Sequence, residues 1–217
     1  DHTELYVKPQ DALEVIPRLP TLYDEPFADS SQIPTFLVSQ LARQHVTVAL
    51  SGDGGDELFC GYTRYLQMRK LAGTLNTLPG AARQLGAAGL RVMTPRAFGR
   101  CYRALMPWLP VALRAKHPED KLGRLRHVLA ADGDEAVYRA LISHWADPAS
   151  VVKGASEPAT WLTGRKPVPA ELSLAEKCML LDSMSYLPDD ILAKVDRAAM
   201  GVSLETRVPL LDHRVIE

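Results

Sequence analysis

The chain has 217 residues, with 25 Lys and Arg against 26 Asp and Glu, a formal net charge of −1. That length allows one large domain or two small ones around a sizeable core; the balanced charge lacks the basic surplus of a nucleic-acid binder, and no apolar run approaches the ~20 residues that span a bilayer. Three widely spaced cysteines, Cys60, Cys101 and Cys178, form neither a Cys-x-x-Cys pair nor a disulfide framework, and read as reduced, buried thiols of a cytoplasmic protein.

Thr3 to Val7 alternates polar and apolar residues, which predicts a short strand. Ala12, Leu13, Val15, Ile16 and Leu19 give a helical face from Asp11 to Leu19, which Pro20 should stop. Turn formers from Asp24 to Ser31 predict a loop, in which Asp29, Ser30 and Ser31 suit capping or turn roles. Pro34 fits the first turn of a helix running to about His45, with Phe36, Leu37, Val38 and Leu41 on its buried side. Val46 to Leu50 is a β-branched apolar run that reads as an inner strand of a parallel sheet. It ends in Ser51-Gly-Asp-Gly-Gly-Asp-Glu57, and a helix is expected from Leu58 to about Leu71. This is an α/β pattern.

From Leu71 to about Trp161 only helical periodicity remains, punctuated by Pro79, Pro95, Pro107, Pro110, Pro118 and Pro148. The Arg and Lys residues from Arg64 to Arg126 read as solvated helix faces. Trp108, Trp145 and Trp161 read as core. Pro158 to Pro169 is a loop, Glu171 to Tyr186 a helix, and Pro188 opens another helix to about Met200 with Gly201 at its C-terminal cap. The division this predicts is an α/β part over residues 1–70 and a helical part over 71–217. Two strands make no stable parallel sheet in isolation, so further sheet partners are expected from elsewhere, most simply from residues before Asp1.

Chemistry concentrates in the loop after Leu50. In open α/β sheets ligands sit at the carboxyl ends of strands, and glycines let the backbone approach them closely. Asp53, Asp56 and Glu57 would repel a bare triphosphate but suit one accompanied by Mg²⁺. The loop is neither a Walker phosphate loop nor a Gly-x-Gly-x-x-Gly fingerprint. Taken alone, it is equally a polar strand-to-helix connection whose acidic residues favour the helix dipole.

Three blocks then point one way. Val48-Ala-Leu-Ser-Gly-Asp-Gly-Gly-Asp-Glu-Leu-Phe-Cys-Gly-Tyr62 resembles the second nucleotide loop of the asparagine synthetase family. Leu187-Pro-Asp-Asp-Ile-Leu-Ala-Lys-Val-Asp-Arg-Ala-Ala-Met200 with Ser203-Leu-Glu-Thr-Arg-Val-Pro-Leu-Leu-Asp212, and Asp24-Glu-Pro-Phe-Ala-Asp-Ser-Ser-Gln-Ile-Pro34, match it in the right order. The resemblance covers residues 1–70 and 171–217 well and the middle loosely.

It implies an α/β fold of the adenine-nucleotide hydrolase type, like the PP-loop ATP pyrophosphatases, mostly helical in this stretch. It also implies an ATP- and Mg²⁺-dependent ligase that adenylates a small carboxylate, aspartate foremost. Ammonia from a glutaminase domain of the same parent chain then gives the amide; no nucleic acid or membrane is involved, and a homodimer is compatible. Position by position, Ser51 and Gly52 fall on the ATP-contacting pair. Asp53 falls on an acidic residue needed for adenylation, often Glu, Asp56 on a Mg²⁺ ligand, and Glu57 on a supporting carboxylate. Spacing alone makes Asp190 and Lys194 a weak surface pair; the resemblance instead places Asp190, Lys194, Asp196 and Arg197 around the nucleotide, with Lys194 the catalytic candidate. Glu205 and Arg207 read as partners that order the next loop, and Asp29 to Ser31 could also line the acceptor-carboxylate pocket. The family's Ser-Gly-Gly-x-Asp-Ser loop, its glutaminase cysteine and its active-site lysine are expected outside this stretch, which is therefore expected to have little activity alone. Two rival readings stay open: an amidotransferase for a sugar-acid or cell-wall carboxylate, and a non-catalytic helical binding module.

Overall fold

A computed structural model describes residues 2–4, 6–108, 117–143, 145, 148–163 and 168–217. In chain order, α1 spans Pro9–Val15, α2 Leu19–Tyr23 and α3 Gln32–Arg43; strand β1 (Val48–Leu50) leads into α4 (Gly55–Leu58). Helices α5 (Thr63–Asn76), α6 (Gly80–Val92), α7 (Pro95–Leu105), α8 (Leu122–Ala130) and α9 (Asp134–Ile142) follow. After them come α10 (Leu174–Ser183), α11 (Ala193–Met200), strand β2 (Glu205–Arg207) and α12 (His213–Ile216). The fold is mostly helical, and no described helix is long and apolar enough to cross a membrane.

Two compact units result, one joining residues 1–62 to 179–217 and the other formed by 63–178. This differs from the expected boundary at residues 70 and 71, because the C-terminal segment returns to the strand-bearing part. β2 runs parallel to β1, with Val48 opposite Glu205 and Leu50 opposite Arg207. In the first unit Val15, Phe36 and Ala198 are buried, packed round by Leu19, Leu22, Ile33, Leu37 and Val202. Phe36 comes from the apolar stripe of α3, and such a side chain contributes about 1.5–3 kcal/mol on full burial. The Arg18 guanidinium lies 4.4 Å over its ring, a cation–π contact that sets a charged group against the edge of the core.

Several expectations are corrected here. Thr3, Glu4, Tyr6 and Val7 are not strand. The helix expected to stop at Pro20 instead passes through a 3₁₀ turn, Ile16–Arg18, and Pro20 occupies the first turn of α2, where its missing N–H costs nothing. β1 is not buried on both faces: Val48 is 40% and Leu50 73% exposed. The helix expected to open at Pro188 begins as a π-helical segment, Leu187–Leu192. Gly201 is the C-cap of α11 but with right-handed backbone (φ −60°), and the left-handed position falls on Ser203. What Gly201 provides is space, since a Cβ there would lie 2.2 Å from Leu22 Cδ2. Cys60, Cys101, Trp108 and Trp145 are exposed; Cys178 alone of these is buried. Pro110 lies outside the described residues.

Among the described residues of the second unit the only regular elements are helices. Tyr65 and Met68 of α5 are completely buried, and the Tyr65 and Tyr138 rings lie 6.4 Å apart. Not every basic side chain of this unit is merely solvated. Arg126 donates from Nε to the Leu90 carbonyl (2.7 Å) and from Nη2 to that of Met93 (2.6 Å). It thereby adds to the Leu90 carbonyl, which also accepts from Met93 N–H (3.3 Å), and engages the Met93 carbonyl just past the end of α6.

Cys60 carries a left-handed backbone (φ 61°) directly after α4. A side chain there is strained, whereas glycine is at ease. Cys60→Gly should raise stability by about 1 kcal/mol, the relief of left-handed strain less the extra chain entropy of glycine. A higher urea midpoint with an unchanged slope would show it; a lower one would mean that the thiol makes contacts worth more than the strain.

Candidate functional site

The carboxyl end of β1 opens into the glycine turn. Ser51 N–H still donates to the Arg207 carbonyl (2.8 Å), extending the ladder by one step. Gly54 then takes φ 80° and starts α4. A Cβ on Gly54 would lie 2.5 Å from Leu211 Cδ2, and one on Gly55 2.9 Å from Leu210 Cδ1. The 3₁₀ turn Pro209–Leu211 therefore seats directly on the glycines, which is why two of them adjoin. At Gly52 the situation is the reverse: nothing lies within 4 Å of where a Cβ would be, and the residue is exposed. Its backbone faces open space.

The polar side chains of the turn divide by burial. Ser51 Oγ donates a very short hydrogen bond to Asp53 Oδ2, and both residues are half-buried. Asp56 is exposed. Glu57 is 1% exposed and accepts from Tyr62 Oη (2.6 Å), whose ring lies edge-on to Tyr186 at 6.2 Å. Glu57 thus braces the helix start, while Asp53 and Asp56 remain open to a ligand. Gly61 lets the chain double back: its N–H donates to the Asp56 carbonyl (2.9 Å), and a Cβ would sit 1.9 Å from Asp56 Oδ1.

Among the described residues no three His, Cys, Asp or Glu side chains converge as a metal cage. Mg²⁺ is commonly held by one or two carboxylates together with substrate phosphates and waters. The exposed Asp56, an oxygen donor beside an open backbone, fits that arrangement.

Lys194 lies elsewhere in the first unit. It is 6% exposed, and its ammonium donates to Asp29 Oδ2 (2.6 Å) and Ser31 Oγ (2.7 Å). The weak surface pair with Asp190 is therefore corrected: burial makes a strong partner necessary, and the partner is Asp29. Ser31 donates twice to the same carboxylate, from Oγ to Oδ2 (2.7 Å) and from N to Oδ1 (2.8 Å). Ser31 also precedes α3 as its N-cap residue but makes no side-chain capping bond, so of the expected roles of this loop only the turn, closed by Ser31 N–H on Asp29, is present. Burial on its own would raise the Asp29 pKa, but the bonds from Lys194 and Ser31 outweigh it and hold the carboxyl down at about 2. Burial, with Asp29 nearby, pushes the Tyr23 phenol up to about 12. Arg197 donates to Asp24 (2.7 Å) and Arg207 to Glu205 (2.9 Å), both exposed pairs.

The structure thus gathers Ser51, Gly52, Asp53 and Asp56 in one turn and ties Lys194 to Asp29 and Ser31. Sequence periodicity did not reveal the second grouping, because Lys194 and Asp29 lie 165 residues apart.

A family model described as asparagine synthase matches residues 1–217. An asparagine synthetase (glutamine-hydrolysing) of Bacillus subtilis is 28% identical over 211 residues, 97% of this chain and 30% of that protein. A provisionally named asparagine synthetase of Mycobacterium tuberculosis is 31% identical over 218 residues, 99% of this chain and 30% of that protein. One from Methanocaldococcus jannaschii reaches 52% identity over 65 residues, 30% of this chain and 13% of that protein. The chain spans about 30% of the length of the first and second of these relatives. No solved structure matches it.

Proposed function

The chain belongs to the asparagine synthase family, and from that premise we propose that it supplies part of the nucleotide site of an ATP-dependent amide-forming ligase, within a longer parent protein. The observation that carries this reading is the turn after β1, where an open Gly52 backbone stands beside two accessible carboxylates, Asp53 and Asp56. The fold proposed for the strand-bearing unit is of the adenine-nucleotide hydrolase type.

A carboxylate oxygen of the acceptor attacks the α-phosphorus of ATP, the bond to the bridging oxygen breaks, and pyrophosphate leaves. Ammonia then adds to the acyl carbon, AMP departs, and a proton is lost to give the amide. The first step brings like charges together, so it needs offsetting charge and fixed dipoles. Ser51 and Gly52 bind the nucleotide, and Ser51 also orients Asp53 through its hydroxyl. Asp53 acts in the adenylation step, and Asp56 would hold Mg²⁺, which when bound neutralises phosphate charge. Aspartate is the proposed acceptor and glutamine the proposed source of ammonia, in line with the relatives' names.

Asp56→Asn in the parent protein should raise the Mg²⁺ concentration needed for half-maximal pyrophosphate release by about tenfold or more, the scale on which weakened metal ligation is felt. The fold should survive, since Asp56 is exposed. Equal release by variant and parent at limiting Mg²⁺ would remove Asp56 from the metal. Carboxylate-dependent exchange of labelled pyrophosphate into ATP tests the whole reading, and its absence would refute adenylation.

A further inference from the structure

We propose that Lys194 is a positioning residue: it fastens the 24–31 loop to the same short segment of chain that seats the glycine turn, and it does not touch the nucleotide. The ammonium is buried and closes a ring of hydrogen bonds with Ser31 Oγ and Asp29 Oδ2. Both carboxylate oxygens of Asp29 are engaged, Oδ2 by Lys194 and Ser31 Oγ and Oδ1 by Ser31 N–H. A cation so neutralised at 6% exposure is not free for phosphate.

The other end of the loop is tied to the same helix. Tyr23 Oη donates to the Lys194 carbonyl (3.3 Å), and Arg197, one turn further on, donates to Asp24 (2.7 Å). Onward from α11 the chain is held by backbone hydrogen bonds. Ser203 N–H donates to the Met200 carbonyl and Leu204 N–H to that of Ala199, each at 3.0 Å, and Leu204 is 1% exposed. β2 follows, paired with β1, and then Pro209–Leu211 rests on Gly54 and Gly55. One continuous piece of backbone therefore holds the loop at its start and the glycine turn at its end. The spacing between them is fixed by that piece, with Lys194 as the buried fastening.

The catalytic consequence rests on the glycine turn being the nucleotide site; the fastening itself does not. The test compares the parent protein with Lys194→Met and with the double variant Lys194→Met/Asp29→Asn. Amide hydrogen exchange over residues 29–33, affinity for Mg-ATP and carboxylate-dependent pyrophosphate exchange are measured on each. Lys194→Met should lose at least about tenfold of the amide protection over 29–33 and about tenfold of the exchange rate, with Mg-ATP affinity within about twofold of the parent; the weakening follows from leaving a buried carboxylate without its cation. Lowering the pH from about 7 to 5 should restore protection in Lys194→Met alone. There Asp29 has lost its largest charge-stabilising partner and protonates readily. Lys194 and Tyr23 are the titratable groups acting on it, and Tyr23 stays neutral throughout that range. The double variant, which buries no lone charge, should recover protection at pH 7 and carries the comparison should the single variant not fold. A tenfold loss of Mg-ATP affinity with protection over 29–33 unchanged would overturn the proposal and put Lys194 on the nucleotide. A parent protein with no pyrophosphate exchange would instead overturn the proposed function, while the protection and pH comparisons would still decide the role of Lys194.

Discussion

Asp53→Asn lowers carboxylate-dependent exchange of pyrophosphate into ATP by about 10²–10³-fold, the usual cost of removing one preorganised electrostatic group from a reacting centre. Asn matches Asp in size and can still accept from Ser51, so the Ser51 contact survives and only the charge is lost. Among the described residues the half-buried side chain makes no other hydrogen bond or ion pair. Asp53→Glu keeps the charge and adds one methylene, and should recover a substantial part of the exchange. Glutamine hydrolysis by the parent protein, proposed to reside on another domain, should continue in both variants. Equal exchange by Asp and Asn at this position would leave Asp53 as a turn residue only, and the loop as a contact to ATP without a part in adenylation.

Gly54→Ala should cost about 2–5 kcal/mol of stability, for two reasons that add. An L-residue at φ 80° sits in the left-handed region, at roughly 1–2 kcal/mol. Its methyl would also stand 2.5 Å from Leu211 Cδ2, an overpacked contact that costs about 1–3 kcal/mol before Leu211 yields. Gly52→Ala makes the internal control, because no atom lies within 4 Å and its φ is not positive. Its stability should stay within about 0.5 kcal/mol of the parent, as for an ordinary surface change. Affinity for Mg-ATP should nevertheless fall, since the methyl occupies the space a nucleotide would enter. Urea unfolding and nucleotide titration of the two variants read these effects separately. An unaltered urea midpoint in Gly54→Ala would mean that the Pro209–Leu211 turn is free to shift.

Local features were legible in the sequence where one short window contained the whole cause. Pro34 near the start of a periodic apolar run gave α3, and the run Val46 to Leu50 before a glycine turn gave β1, although the strand begins only at Val48. The turn itself was readable because close backbone approach demands glycine at fixed places. What escaped depended on partners distant in the chain. β2 is Glu-Thr-Arg, polar and with exposed outer residues, and it is a strand only because β1 lies beside it. Thr3 to Val7 has the better alternating pattern, but among the described residues no strand pairs with it. Lys194 looked like half of a surface pair, since its true counterion is invisible to helical periodicity. The π-helical segment was hidden for another reason: Pro188 marks the start of an ordinary helix equally well. Exposure of Trp108 and Trp145 was likewise beyond composition, which records what a side chain prefers and not the room the fold gives it.

The return of residues 179–217 to the unit begun by residues 1–62 gives synthesis a waiting time. Lys194 leaves the ribosome 165 residues after Asp29. At about 5–20 residues per second, roughly 8–30 s pass in which the earlier segment exists without its later half. The continuous 63–178 unit emerges complete during that interval and can fold first. Until β2 arrives, β1 presents Val48 and Leu50 with an unpaired edge, the kind of surface that chaperones shield and that recruits stray strands. On this edge of β1 the hazard of misassembly is therefore concentrated before residues 179–217 are made.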